Sequence, residues 1–235
     1  MRDPKEFLHV VNAAQTIDQL LVVTENSVAD FGFDYFSCYV RKPMPSDEPR
    51  VVVFDRYPAG WMAHYHEMGY LACDPTIISG SRYQDIIPWS DELFAGSPHL
   101  WTDAQSVGLN HGIAQSSWAS DGSYALFSLA RETISVQETE LARLRLVLAY
   151  AASAIHARLE LLLVQESAQS YSTGLTPRER EVLLWSAEGK TAADIAERLG
   201  LNSRSVTFHI TNAMKKLNAA NKTQAVVNAI GLGVI

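Results

Sequence analysis

Between Tyr57 and Trp89 the sequence gathers aromatic side chains that carry hydrogen-bond donors, among them Tyr57, Trp61, Tyr65 and Trp89, around the acid Asp74. Pro58 can start a short helix, and Trp61 and Tyr65, four residues apart, then share one of its faces. Asp74-Pro75 follows in a turn. A carboxylate beside this much aromatic surface is expensive to bury unless something donates hydrogen bonds to it, and a ligand amide N–H would do so. The Trp61 indole and the Tyr57 and Tyr65 hydroxyls can donate to carbonyl oxygens, while the rings supply apolar walls. The matching ligand is small, with an amide, one or more carbonyls and an apolar tail. The competing reading is plain core, since aromatic residues at helical spacing usually pack for stability alone.

A second chemistry lies at the other end of the chain. The face formed by Arg204, Thr207, Phe208, Thr211, Asn212 and Lys215, with Lys216 beside it, sits opposite the stripe Val206, Ile210, Ala213 and Leu217 on one expected helix. From residue 175 onward the net charge is +3, against −10 for residues 1–174. A nucleic-acid binder needs cations near phosphates because counterion release supplies much of its affinity, and the tail offers them. An ordinary bundle with a solvated charged face is the alternative.

The elements that must position these groups follow from local signals. In the tail, Thr176 three residues before Glu179 makes a capping box, Pro177 suits a first turn, and Gly189 stops the helix. A second helix is expected over Thr191–Leu199 with Ala192, Ile195, Ala196 and Leu199 inward and Gly200 as its stop. Ser203 is expected to cap the third helix, and a fourth, Lys222–Ile230, closes the bundle with Ala225, Val226, Ala229 and Ile230. Four helices in about sixty residues are near the lower limit for an independent core. Ahead of them, the polar, serine-rich stretch 165–174 reads as a linker. Residues 1–164 read as helices around Phe7, Val10 and Val11 and over Ile17–Val28, then strands at Tyr35–Arg41, Arg50–Tyr57, Ile113–Ala119 and Ser123–Arg131, with Asp121-Gly122 as a hairpin signal. A long helix is expected from near Ser135, capped through Glu138, with Leu141, Leu144, Leu148, Ile155, Leu159 and Leu162 inward. The class is α+β: an N-terminal α-β-α sandwich followed by a four-helix, helix-turn-helix domain.

The segments Leu175-Thr-Pro-Arg-Glu-Arg-Glu-Val-Leu183, Gly189-Lys-Thr191, Ile195-Ala196, Ser205-Val206, His209 and Lys216-Leu217 resemble the DNA-binding domain of LuxR-type transcription factors. Trp61, Tyr65, Asp74, Pro75, Trp89 and Gly112 resemble positions shared by the acyl-homoserine lactone receptors of that group. The resemblance implies an N-acyl-homoserine lactone as ligand, with no cofactor. Trp61 would donate to the lactone carbonyl, Asp74 accept from the amide N–H and Tyr57 donate to the acyl carbonyl, with Tyr65 and Trp89 lining the pocket. Ser37 and Ser128 are similar to positions that bond the acyl carbonyl directly or through water, and Trp101 joins the candidate ligand residues. Two segments, Tyr57–Tyr65 and Gly112–Trp118, look most like a branch that answers octanoyl-homoserine lactone. Cys73 departs from the pattern and is expected to alter the depth of the acyl tunnel.

For DNA, Lys190, Thr191, Lys215, Lys216 and Lys222 are assigned to phosphates, and Arg204, Ser205, Thr207, Phe208, Thr211 and Asn212 to the recognition helix. The implied partners are double-stranded DNA with an inverted repeat, the autoinducer, a second copy of the chain through the long helix Val136–Val164, and RNA polymerase. A cytoplasmic place fits two cysteines, Cys38 and Cys73, read as reduced core thiols, no run of 18 apolar residues and no leader.

Other readings are weaker. His64-x-His66 on a helix diverges and lacks a third ligand, and no motif of a hydrolase elbow, zinc protease or phosphate loop is present. Asp85, Asp91 and Asp103 read as solvated loop charges. A response regulator with the same tail would need an acidic pair and a repeating βα pattern, which residues 1–60 do not show. An enzyme or carrier fused to this tail, an unpaired receptor and a ligand-released repressor remain as alternatives.

Overall fold

The computed structural model describes residues 4–43, 49–120, 122–170, 174–232 and 234–235, without the side chains of 166–170. The chain divides into two compact units, with the boundary between Glu160 and Leu161.

The first unit contains α1 (Pro4–Ala13), α2 (Ile17–Asp30), β1 (Tyr35–Lys42), β2 (Arg50–Asp55), α3 (Trp61–Glu67), α4 (Pro75–Gly80), β3 (Ile87–Pro88), α5 (Pro98–Ser106), β4 (His111–Trp118), β5 (Tyr124–Arg131) and the start of α6 (Glu138–Ser170). The sheet is antiparallel throughout, in the order β2-β1-β5-β4-β3. Register sorts its side chains. Ser37 lies opposite both Asp55 and Ser128, and Tyr39 opposite Val53 and Leu126, so these residues share one face. The alternate residues Phe36 and Phe127 point to the other face, where their rings meet at 6.1 Å.

The α-β-α arrangement expected from sequence is present, with four of its strands within a residue or two of their predicted ends. The fifth strand, β3, is two residues long, too short to show alternation, and it ends on Pro88. Asp121 of the expected hairpin lies outside the described residues; Gly122 takes φ +81°.

Helix α6 corrects three expectations. It begins at Glu138, not near Ser135, and the Ser135 hydroxyl accepts from the Gln137 side chain, so no box with Glu138 forms. It continues to Ser170, so the first six residues of the expected linker are helical, while 171–173 lie outside the described residues. Over Glu138–Gln165 it is also long and apolar enough, by length and composition, to cross a membrane. Arg143, Arg145, Arg158 and Glu160 interrupt it, so it holds no run of 18 apolar residues, in line with the sequence. Its stripe Leu141, Leu144, Leu148, Ile155, Leu159 and Leu162 is buried as predicted.

The second unit holds α7 (Pro177–Ala187), α8 (Ala192–Leu199), α9 (Ser203–Lys216) and α10 (Lys222–Gly231). The Thr176–Glu179 capping box forms in both directions, and an unpredicted one joins Thr191 to Asp194. The cap of α9 is Asn202, whose side chain accepts from the Ser205 amide, and not Ser203. The stripe Val206, Ile210, Ala213 and Leu217 is buried, as are Ile195, Ala196, Ala225 and Ala229. Ile230 is exposed instead.

Candidate ligand pocket and candidate DNA-binding surface

On the sheet face that carries Ser37, Tyr39, Val53, Leu126 and Ser128, helices α3, α4 and α5 enclose a small cavity of about 60 Å³. Its remaining walls include Tyr57, Trp61, Tyr65, Asp74, Thr76, Ile77 and Trp89. Two packed clusters meet there. One is aromatic, built on Trp61, Tyr65, Tyr70, Phe94 and Leu100 with Tyr57 and Trp89 against it. The other is mainly aliphatic, with Leu126, Val53, Ile77 and Ile87 around Tyr39 and Tyr124. Leu71 packs on both. Apolar walls with few convergent polar groups suit the recognition of a small organic ligand with one polar end.

Local sequence places the polar groups. Gly60, at φ +86°, lets the Pro58 carbonyl accept from the Trp61 amide, so α3 starts at Trp61 and not at Pro58. Trp61 and Tyr65 are both buried, their rings edge to face at 6.0 Å. Asp74 is the N-cap of α4, with Pro75 in the first turn. Its Oδ1 accepts from the Thr76 amide at 2.8 Å and hydroxyl at 2.6 Å, and its Oδ2 accepts from the Tyr65 hydroxyl at 2.8 Å. Burial pushes the Asp74 carboxyl up, against those three bonds. Oδ1 already accepts two bonds and Oδ2 one, so Oδ2 can take one more donor. The Tyr57 hydroxyl accepts from Ser37 at 3.2 Å, and burial drives its acidity well below that of a free tyrosine.

Seven of the ten residues singled out for ligand binding line the cavity: Ser37, Tyr57, Trp61, Tyr65, Asp74, Trp89 and Ser128. Pro75, Gly112 and Trp101 do not, and each has another task. Pro75 starts α4. Gly112 sits where a Cβ would collide with the Trp89 ring, while its carbonyl accepts from the Trp89 amide at 2.8 Å. Trp101 stacks on Phe94, with centroids 4.6 Å apart, and gives its indole N–H to Asp91 at 2.6 Å. The Trp89 Nε1 is buried without a hydrogen-bond partner.

Cys73 is exposed and outside the lining, so neither a core thiol nor a tunnel residue is found there, whereas Cys38 is buried. Asp85, Asp91 and Asp103 are not simply solvated. Asp85 pairs with Arg145, and Asp91 holds Trp101. Asp103 accepts from the Tyr70 hydroxyl and pairs with His64, both at 2.6 Å, tying α3 to α5; these bonds hold its carboxyl below the usual range. His66 Nδ1 contacts the Met62 carbonyl at 2.6 Å. Sequence reasoning missed Thr76, Phe94, Leu100 and the sheet residues Tyr39 and Leu126. Thr76 was within reach, since Asp-Pro is a helix-start signal that orients the residue two positions on.

In the second unit Arg204, Thr207, Phe208, Thr211 and Lys215 are exposed along α9, with Ser205 and Asn212 half-buried at its margins. Not every assigned cation is equally available. The Lys216 Nζ reaches the Gly174 carbonyl at 2.6 Å and the buried Glu179 carboxylate at 2.7 Å. The Lys222 Nζ donates to the Lys190 carbonyl at 3.3 Å, and the Thr191 hydroxyl donates to Asp194. Burial opposes ionisation of Glu179, but Lys216 and the Thr176 amide outweigh it and hold its carboxyl low.

Residues 16–159 match the autoinducer binding domain, and residues 173–229 match the bacterial regulatory proteins of the luxR family. The chain belongs to the LuxR family of bacterial regulators, as an autoinducer-binding transcriptional activator with a helix-turn-helix DNA-binding domain. It is 41% identical over 227 residues to the transcriptional activator protein SolR of Ralstonia nicotianae, covering 97% of this chain and 96% of that one. It is 34% identical to the quorum-sensing regulator RhlR of Pseudomonas aeruginosa, covering 92% and 89%. Among solved structures, Escherichia coli SdiA superposes with a TM-score of 0.76 at 29% identity, covering 99% of this chain and 97% of that chain. SdiA in complex with octanoyl-rac-glycerol gives 0.77 at 28%, covering 100% and 98%. The antiparallel sheet is also at odds with the parallel βα repeat of the rival response-regulator reading.

Proposed function

We propose that this protein is a cytoplasmic activator switched by an N-acyl-homoserine lactone of medium, octanoyl-like chain, and that it acts as a homodimer on an inverted repeat, with RNA polymerase downstream. The observation that carries the ligand class is the half-buried Asp74, its carboxylate oriented by Tyr65 and Thr76 and its Oδ2 able to take one more donor beside a cavity with one aromatic and one aliphatic wall. The ligand amide N–H donates to Asp74, Trp61 donates to the lactone carbonyl, and the Tyr57–Ser37–Ser128 hydroxyls serve the acyl carbonyl. The acyl tail runs along Tyr39, Val53, Ile77 and Leu126. The eight-carbon acyl group held by SdiA supports the chain length.

The dimer reading rests on α6. Opposite its buried stripe, Leu146 is 81% and Leu161 55% exposed, and Tyr150 lies on the same arc. Ligand binding stabilises the first unit by mass action, and dimerisation sets two recognition helices about 34–36 Å apart. Sedimentation of the full chain with octanoyl-homoserine lactone, with and without a palindromic duplex, tests this. A dimer weakened by Leu146→Glu is expected. A loaded monomer that binds the palindrome tightly contradicts it.

A further inference from the structure

The hydroxyls on the exposed face of α9 are turned inward. Thr207 Oγ1 donates to the Ser203 carbonyl at 3.0 Å, and Thr211 Oγ1 donates to the Thr207 carbonyl at 2.9 Å. Each threonine spends its only O–H on the helix one turn back, a common local bond for this residue, so the methyl is the part of each exposed side chain left without a partner of its own chemistry. Beside them on the same arc Phe208 is 61% exposed. At 100° per residue these three positions fall within about 100° of arc, opposite the buried stripe. The centre of the face is therefore apolar, two methyls and a ring, with Arg204 toward one end and Lys215 toward the other.

We propose that α9 reads its DNA site chiefly through thymine 5-methyl groups, contacted in the major groove by the methyls of Thr207 and Thr211 and the ring of Phe208. In that groove the thymine methyl is the apolar feature that marks a T·A pair, and apolar side chains are its natural partners. Arg204 then supplies a charged donor at the helix start, and Lys215 a phosphate contact that positions without specifying. This rests on the recognition-helix reading of α9 above and adds the chemistry by which it discriminates.

Full-length protein with octanoyl-homoserine lactone is used to select bound duplexes from a random library, and thymines of a selected duplex are replaced one at a time by deoxyuridine, which removes only the methyl. At two or more thymines in each half-site, affinity is expected to fall about fourfold per methyl taken out of contact. Thr211→Val, which keeps the methyl and loses the hydroxyl, is expected to bind as the parent does. Thr211→Ser, which does the reverse, is expected to lose about the same factor and to become indifferent to deoxyuridine at one position. Equal binding of every deoxyuridine duplex, or a Thr211→Val loss as large as that of Thr211→Ser, would overturn the proposal. Recovery of no duplex by folded, ligand-loaded protein would instead remove the recognition-helix reading itself.

Discussion

Replacing Asp74 with Asn separates ligand recognition from folding. Asparagine and aspartate are near-equal N-caps, and the amide oxygen can still accept from the Thr76 amide and hydroxyl. The new amide group faces the Tyr65 hydroxyl, whose oxygen can accept. Burial raises the folded carboxyl above its unfolded value of about 3.9. The folded state therefore holds that proton more tightly, and stability from this group falls as pH rises from about 3.9 through the folded value. Asparagine has no such loss, so the ligand-free variant at neutral pH should be at least as stable as the parent.

Ligand binding responds in the opposite way. A hydrogen bond to a charged acceptor is worth about 1.5–3 kcal/mol, so losing it weakens binding by roughly 10- to 150-fold. At a ligand concentration one hundred times the parent Kd, the parent gains about 2.7 kcal/mol. A variant binding fiftyfold more weakly gains only about 0.6 kcal/mol. For a domain of this size the thermal shift should drop from roughly 5–10 °C to about 1–3 °C. The assay is thermal unfolding of both proteins with and without octanoyl-homoserine lactone. Equal shifts would remove Asp74 from ligand recognition, and a collapse in ligand-free stability would make it a structural cap alone.

Lys216→Ala should strand the 3%-exposed Glu179 carboxylate and destabilise the second unit by about 2 kcal/mol, the usual cost of breaking a buried pair reduced because Lys216 is one-third solvated. Glu179→Gln in the same background should recover part of that loss in calorimetry. Lys215→Ala should leave the melting temperature unchanged while weakening binding to all duplexes alike and lowering the salt slope by about one, as a titration at several salt concentrations would show. Gly112→Ala should push the Trp89 ring off the β4 backbone, cost about 1–3 kcal/mol, and change both indole fluorescence and ligand affinity; unchanged fluorescence would argue against this packing. At pH 8 Cys73 should react readily with Ellman's reagent while Cys38, pushed up to about 12 by burial, reacts only on unfolding.

Much of this architecture was legible because its signals are local. The Thr176–Glu179 box, the helical stripe of α9 and the strands β1, β2, β4 and β5 each follow from residues a few positions apart. What escaped depends on distant partners. The strand β3 exists only through pairing with Ile113 and Ala114, and the cavity role of Tyr39 and Leu126 is set by register across β1 and β5. The fate of a charge was equally hidden: Asp103 looks solvated until Tyr70 and His64 are brought to it, and Lys216 looks like a phosphate ligand until Glu179 is seen beneath it. Pro75 and Gly112 share the sequence pattern of the ligand residues, yet one starts a helix and the other seats a ring, a distinction that residue type does not carry.

The central claim is that the cavity of the first unit takes an acyl-homoserine lactone. It is tested most directly by thermal unfolding of the full chain with lactones of graded acyl length. A shift of several degrees, largest near eight carbons, is the predicted result; no shift with any of them, in soluble folded protein, would contradict it.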